Sequence, residues 1–160
     1  MRRTLLTLNH AVLFLCASMY LGTGWSIVFF TYPVVPQLTP ANYFLQLVPP
    51  LQAAVPFFTH MTYVMITLGL VMIVSEWRTK LRWIPVIYLL AVIGAGLFTQ
   101  QMMFPLNNEM ASGITDAVRL KTVLDEWKSL HLIRSSIWTL EWICMMVWFG
   151  YWATKGREIQ

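Results

Sequence analysis

Charged side chains are scarce in this sequence. Asp, Glu, Lys and Arg make up 11% of the 160 residues, whereas soluble domains contain roughly 25%. Hydrophobic residues make up 58%, against roughly 45–50% in soluble domains. The scarcity of charge excludes an ordinary soluble domain and predicts an integral membrane protein in contact with the lipid bilayer.

Cysteine is also rare, and the basic residues form no stripe. Cys16 and Cys144 are the only two cysteines, and both lie inside apolar stretches. This excludes a disulfide framework, and we interpret the two thiols as packing residues. The net charge of +4 comes from residues at the ends of apolar stretches, so we expect no nucleic-acid partner.

Four long apolar stretches are present, and no internal repeat. They cover about residues 8–30, 52–75, 83–104 and 131–152. Each is long enough to cross a hydrocarbon core of ~30 Å as a helix. The sequence therefore predicts an all-α fold, a four-transmembrane-helix bundle that forms a single integral membrane domain over residues 1–160.

The positions of Lys and Arg predict the topology. Arg2 and Arg3 precede the first span, and the short turn between the second and third spans contains Arg78, Lys80 and Arg82, whereas residues 31–51 carry no charge. By the positive-inside rule both termini are cytoplasmic, in what we expect to be a bacterial inner membrane. The first apolar run continues through Phe30, so we interpret it as an uncleaved helix and not as a signal peptide.

Prolines predict how the outer segments are built. Pro33, Pro36 and Pro40 predict a proline-rich first outer loop that lies on the membrane surface as a lid. Pro49-Pro50 is expected to stop any short helix over residues 41–48, and Pro105 to end the third helix. Residues 109–126 have apolar positions at helical spacing, which predicts an amphipathic outer helix before the last span.

The start of the last apolar stretch contains the most informative side chains. At spacings of three and four, one helix face carries His131, Arg134, Trp138, Glu141 and Trp142. A charge near the middle of a membrane helix costs at least ~2.5 kcal/mol, so we expect Arg134 and Glu141 to face the bundle interior. The alternative is that Arg134 reaches to the interface, His131 lies among the headgroups and Glu141 is a packing residue.

Other spans supply possible partners for this face. His60 lies about nine residues inside the second span, at the expected depth of Glu141, and a contact between these two side chains is predicted. Gln100, near the outer end of the third span, is expected to join the same polar layer. His60, Gln100, Trp138 and Glu141 are therefore the candidate substrate-binding residues.

One combination of motifs resembles a known family. Pro105-Leu106-Asn107, a charged segment, and then Trp127-x-x-x-His131-x-x-Arg134 ahead of an apolar helix resemble the anthrone oxygenase-like family of small four-helix membrane proteins. The resemblance implies an oxygenase that oxidises a phenolic or quinone-like hydrophobic molecule with dioxygen and no cofactor. It makes Asn107, His131 and Arg134 the candidate catalytic residues: His131 would take a proton, and Arg134 with Asn107 would stabilise the oxyanion.

Two other classes of function remain open. His60 and His131, together with several methionines, suggest a haem or copper site, although no ligand pair lies at HxxxH spacing. The eight tryptophans suggest aromatic contact surfaces for a quinone, for larger subunits of a membrane complex, or for a homo-oligomer. If it docks on larger subunits of an energy-converting or oxidoreductase complex, the protein would be a non-catalytic accessory subunit.

Overall fold

The computed structural model describes residues 2–157, which form an all-helical fold without a strand. Helix α1 (Arg2–Ser26) continues into a π-helical turn (Ile27–Thr31), and a short 3-10 turn follows (Val35–Gln37). The remaining helices are α2 (Tyr43–Glu76), α3 (Trp83–Phe98), α4 (Phe104–Ser112) and α5 (Ala117–Arg157). A second π-helical turn (Thr99–Met103) joins α3 to α4.

The four long helices pack side by side into a bundle. α1 contacts α5, α5 contacts α3, α3 contacts α2, and α2 contacts α1, which closes the ring. Leu13, Met65, Tyr88 and Met145 are fully buried within it. We call the apolar interior around them the bundle core.

Three helices within residues 2–157 are long and apolar enough to cross a membrane: Thr4–Thr31, Tyr43–Glu76 and Trp83–Ser112. Their outward faces carry large apolar side chains such as Phe30 (75% exposed) and Val74 (80% exposed), which suits contact with lipid. The predictions of an all-helical membrane protein with four long helices are confirmed at this level. That α5 crosses the membrane over residues 131–152 stays a prediction.

Prolines end fewer helices than expected. α2 begins at Tyr43 and runs through Pro49, Pro50 and Pro56, so Pro49-Pro50 does not stop a helix there. An interior proline costs a helix ~3 kcal/mol, but Tyr43 and Val48 ahead of it are buried. Tertiary packing, which supplies most helical stability in proteins, holds this first turn in place.

Pro105 does not end the third helix either. It is the second residue of α4, which follows directly on the π-helical turn Thr99–Met103, so the helical path runs through it. The helical path ends at Gly113, whose φ of 89° is accessible to glycine without strain. The expected outer helix over 109–126 is thus divided at this glycine, and its second part belongs to α5.

A second apolar cluster lies at the end of the bundle where α2 begins, which we call the outer end. This outer core is built from Val35, Tyr43, Leu47, Met103, Met110, Leu120, Val123 and Trp127, among others. The Tyr43 hydroxyl donates to the Met110 carbonyl at 2.9 Å and accepts from the Ile114 amide at 2.5 Å. These bonds tie α2 to the turn at Gly113. The opposite end of the bundle, where α2 ends at Glu76, is called the inner end.

Candidate functional site

The outer half of the bundle encloses a cavity of about 160 Å³. All four long helices and α4 contribute to its wall. An apolar cavity of about 150 Å³ is large enough to bind benzene, so this one accommodates a single aromatic ring. Its polar or aromatic lining residues include Tyr20, Thr62, Gln100, Asn107, Arg134, Trp138 and Glu141.

The cavity opens sideways, between α2 and α3. Four residues line it and are also exposed: Val55, Thr59 and Tyr63 on α2, and Gln100 in the π-helical turn after α3. Both helices are among those long and apolar enough to cross a membrane. In a bilayer an opening between these two helices would face lipid.

His131 is fully buried beside the cavity, and both of its ring nitrogens have partners. Nε2 lies 3.1 Å from the Gly24 carbonyl, to which it donates, and Nδ1 accepts from Arg134 Nη2 at 2.8 Å. The carbonyl thus selects the neutral tautomer with the proton on Nε2. The ring also stacks on Trp127 at 5.3 Å. His131 is fixed in place and in turn fixes Arg134.

Gly24 makes this arrangement possible. A Cβ atom at Gly24 would lie 2.8 Å from both Ser135 Oγ and Trp138 Cε3, which is closer than van der Waals contact allows. The lack of a side chain lets α1 approach α5 and brings the Gly24 carbonyl to the imidazole of His131.

Arg134 lines the cavity with spare hydrogen-bonding capacity. Its guanidinium carbon lies 4.7 Å from the centre of the Trp138 ring, a cation–π contact. Within residues 2–157 it has no carboxylate partner, and its buried Nε has no hydrogen-bond acceptor. A buried cation without a counter-ion strongly attracts an anionic or strongly dipolar oxygen.

Glu141 lines the same cavity and is only 1% exposed. Neither carboxyl oxygen has a hydrogen-bond partner among the described residues. Seven residues separate it from Arg134, about 10 Å along the helix, and the two do not form an ion pair. An unpaired carboxylate is very costly in an apolar interior, which favours the neutral acid with its proton.

His60 does not belong to this site. Its side chain is exposed, and Nδ1 donates to the Pro56 carbonyl of its own helix at 2.6 Å. The predicted contact with Glu141 is not formed, and His60 is absent from the described lining of the cavity. The prediction used only the depth of His60 along α2 and not the direction in which its side chain points. The inward face of that helix is occupied by neighbours such as Met61 and Met65, which are buried.

The other predicted residues lie around the cavity. Asn107 lines it and accepts a hydrogen bond from Trp127 Nε1 at 3.2 Å. Trp138 forms a wall, and Gln100 stands at the exposed opening. The structure therefore places Asn107, Arg134, Trp138, Glu141 and Gln100 on one cavity, with His131 directly behind Arg134.

Two tyrosines of the site were not anticipated. Tyr20 lines the cavity, donates to the Phe58 carbonyl at 2.8 Å and contacts Thr62 Oγ1 at 2.6 Å. Tyr20 lies one turn before Gly24 on the same face of α1, and this spacing could have identified it from the sequence as a residue of the site. Tyr32 donates to the Lys128 carbonyl at 2.5 Å and meets the His131 ring edge-on at 6.1 Å. Burial raises the pKa of Tyr32 to about 12, so this phenol keeps its proton at neutral pH.

The two π-helical turns border the cavity as well, through Ile27 and through Thr99 and Gln100. Such turns occur often at functional sites, and no pattern in the sequence pointed to them. Among residues 2–157 no group of three or more His, Cys, Asp or Glu side chains is arranged to hold a metal ion.

Comparisons with protein-family models, with curated proteins and with solved structures find no match to this chain. The resemblance to the anthrone oxygenase-like family therefore rests on the sequence motif.

Proposed function

We propose that the protein takes a phenolic or quinone-like molecule from the bilayer into this cavity and oxidises it. The observation that carries the proposal is that a half-buried cation without a carboxylate partner, Arg134, and a buried acid without a hydrogen-bond partner among the described residues, Glu141, line one cavity that opens between α2 and α3. Both residues are costly to bury without a ligand. A polar aromatic molecule would satisfy them.

The free N–H groups of Arg134 would hold an oxygen atom of the ligand. A hydroxyl or carbonyl oxygen that becomes negative during oxidation binds such a donor more tightly, which is how an oxyanion is stabilised. Trp138, beneath the guanidinium at 4.7 Å, would lie against the aromatic ring.

Glu141 is a better candidate for proton transfer than His131. The lone pair of His131 Nδ1 is already occupied by Arg134 at 2.8 Å, whereas both oxygens of Glu141 are free within the described residues. His131 would act as a positioning residue for Arg134. Dioxygen as the electron acceptor is an expectation taken from the family resemblance.

The cavity volume suggests which ligand binds best. At about 160 Å³ it has room for one ring. A fused three-ring molecule such as an anthrone would have to extend through the opening between α2 and α3. We therefore propose a one-ring phenol or quinone as the preferred class.

The proposal is tested by ligand binding to the purified protein in detergent. A series of one-, two- and three-ring quinones is titrated while tryptophan fluorescence is followed, since Trp138 lies on the cavity wall. We expect the one-ring compound to bind most tightly. Arg134→Gln should weaken it by roughly 10–100-fold, because a hydrogen bond to a charged group contributes about 1.5–3 kcal/mol.

The matched control is Arg119→Gln, which changes an exposed arginine that pairs with Glu109 at 2.6 Å and lies about 22 Å before Arg134 along α5. It should bind like the wild type. If the Arg134→Gln protein bound the one-ring compound as tightly as the wild type does, the proposed site would be refuted. Oxygen consumption with the hydroquinone that corresponds to the tightest-binding quinone then tests the oxidation separately from binding, because the hydroquinone supplies the two electrons and two protons that reduce dioxygen.

A further inference from the structure

The cavity is elongated along the axis of the bundle. Three helical segments line it over the same length: residues 20–27 of α1 and the turn after it, residues 92–99 of α3 and the turn after it, and residues 134–141 of α5. Each segment advances by seven residues, which is about 10 Å along a helix. Because the first residues of α5 belong to the outer core, Arg134 lies at the outer end of the cavity and Glu141 lies at its inner end.

Unpartnered polar atoms mark these two ends. Of the residues that line the cavity, Arg134 and Glu141 alone have a buried side-chain nitrogen or oxygen atom that lacks a hydrogen-bond partner within residues 2–157. Between them, the Tyr20 and Thr62 hydroxyls are bonded to the Phe58 carbonyl and to each other. A buried polar group that is left unpaired costs free energy, so the cavity favours a ligand that satisfies both ends.

The two ends are too far apart to bind a single atom of a ligand. Side chains on a helix lean toward its N-terminus, and Arg134 does so, since its Nη2 lies 2.8 Å from Nδ1 of His131 three residues earlier. Glu141 on the same helix is expected to lean the same way, which keeps its carboxyl group about 10 Å from the guanidinium. A ligand that satisfies both must therefore carry two separate polar atoms.

The middle of the cavity suits an aromatic ring. Tyr20, Phe58 and Trp138 line it together, and the Tyr20 ring centroid lies 4.9 Å from that of Phe58 and 4.8 Å from that of Trp138. On α3, Gly96 leaves space, because a Cβ there would meet nothing closer than Thr62 Cγ2 at 4.0 Å. A ring that lies between the two polar ends would pack against these aromatic side chains.

We propose that the cavity selects a ring with oxygen atoms at positions 1 and 4, a hydroquinone or a 1,4-quinone, with one oxygen bound by Arg134 and the other by Glu141. These oxygens lie about 5.5 Å apart on opposite sides of the ring, and a hydrogen bond of about 2.8 Å beyond each extends the reach to about 11 Å. In the 1,2- and 1,3-isomers the oxygens are closer together and do not point in opposite directions. The inference rests on the proposed function for the ring and adds the positions of its oxygens.

The test compares isomers that differ only in where the second hydroxyl is attached. Hydroquinone (1,4), resorcinol (1,3), catechol (1,2) and 4-methylphenol, which has a methyl group in place of the second hydroxyl, are titrated into the protein in detergent by calorimetry under argon. We expect hydroquinone to bind at least about tenfold more tightly than the other three, because each of them leaves Glu141 unpaired.

Substitution of Glu141 identifies the group that reads the second oxygen. Glu141→Leu should weaken hydroquinone at least about tenfold and change 4-methylphenol by less than about threefold, since the hydroxyl and the carboxyl group act as a contacting pair. Glu141→Gln keeps a donor and an acceptor at the same length and should retain the preference for hydroquinone. Glu126→Leu, at an exposed acid of the same helix, is the matched control and should bind all four compounds like the wild type.

The outcomes separate this inference from the proposed function. If the three dihydroxy isomers bound equally and Arg134→Gln weakened all of them, the site would stand and the selection of 1,4-oxygens would be overturned. Equal losses for hydroquinone and 4-methylphenol in Glu141→Leu would also overturn it, because Glu141 would then support the fold and not the ligand. If none of the four compounds bound to the wild type, the proposed function would fail together with the inference.

Discussion

The bundle contains two buried histidines that are built alike and surrounded differently. His131 stacks on Trp127 and donates to the Gly24 carbonyl. His10 stacks on Trp148 and donates to the Leu6 carbonyl. In each case an indole and a backbone carbonyl hold the ring and select its tautomer.

The difference lies in the group that faces the second ring nitrogen. At His131 this nitrogen accepts from the cationic Arg134 at 2.8 Å, whereas at His10 it faces the carboxyl of Glu76 at 3.9 Å. A neighbouring cation opposes protonation of an imidazole, and a carboxylate favours it. The same construction therefore places a cation against the second ring nitrogen at the outer end and a carboxyl group at the inner end.

The largest expected effect tests the feature that the two histidines share, which is the tryptophan stacked on each ring. Trp127→Ala and Trp148→Ala should each lower the free energy of unfolding by about 3–5 kcal/mol, because each removes a buried indole and leaves a cavity. Thermal unfolding in detergent measures this. Trp77→Ala, at a side chain that is 57% exposed, is the control and should change stability little. A small loss in Trp127→Ala would mean that the stack does not hold His131.

The second test separates binding from stability at the outer end. Arg134→Met removes a buried cation that has no counter-ion among the described residues, and burying an uncompensated charge opposes folding. We expect the variant to unfold at a higher temperature than the wild type without ligand, and to lose about 1.5–3 kcal/mol of ligand binding. A drop in the unfolding temperature would indicate that Arg134 is a structural residue.

The third test breaks the contact that orients His131. Gly24→Ala would place a Cβ 2.8 Å from Ser135 Oγ and Trp138 Cε3, and forcing extra atoms into a packed core costs about 1–3 kcal/mol. Gly22→Ala is the matched control on the same helix, since a Cβ there meets nothing within 4 Å. The comparison of the two unfolding temperatures gives the energy of the close approach of α1 to α5. Equal temperatures would show that the helices shift apart at no cost.

Much of the architecture followed from the chemistry of lipid. Apolar stretches predicted the long helices, and the free-energy cost of charge in a membrane predicted that Arg134 and Glu141 face inward. Both line the cavity. The helix ends were harder to predict, because burial of Tyr43 and Val48 in the outer core holds α2 in place ahead of Pro49.

The partners of the ionisable residues were the least predictable part. His60 was expected inside because its depth matched that of Glu141, but depth along a helix leaves the direction of a side chain open. His10 lies near the start of α1, where the sequence gives no sign of burial, and it is fully buried against Trp148. The contact of His10 with Trp148 depends on the packing of α1 against α5, which the sequence alone does not give.

The smallest effect concerns Tyr32, which supports the outer histidine and has no counterpart at His10. Tyr32→Phe removes the hydrogen bond to the Lys128 carbonyl and should cost about 0.5–1.5 kcal/mol. Because burial raises the pKa of Tyr32 from 10.0 to about 12, the folded state disfavours the phenolate. The stability that this residue contributes is complete below pH 10 and is lost as the pH rises from 10 to about 12. The unfolding temperature of the wild type should therefore fall more steeply across this interval than that of Tyr32→Phe, whereas Tyr151→Phe should follow the wild type. If the unfolding temperatures of Tyr32→Phe and the wild type fell equally with rising pH, Tyr32 would be open to water and would not shield His131 from solvent.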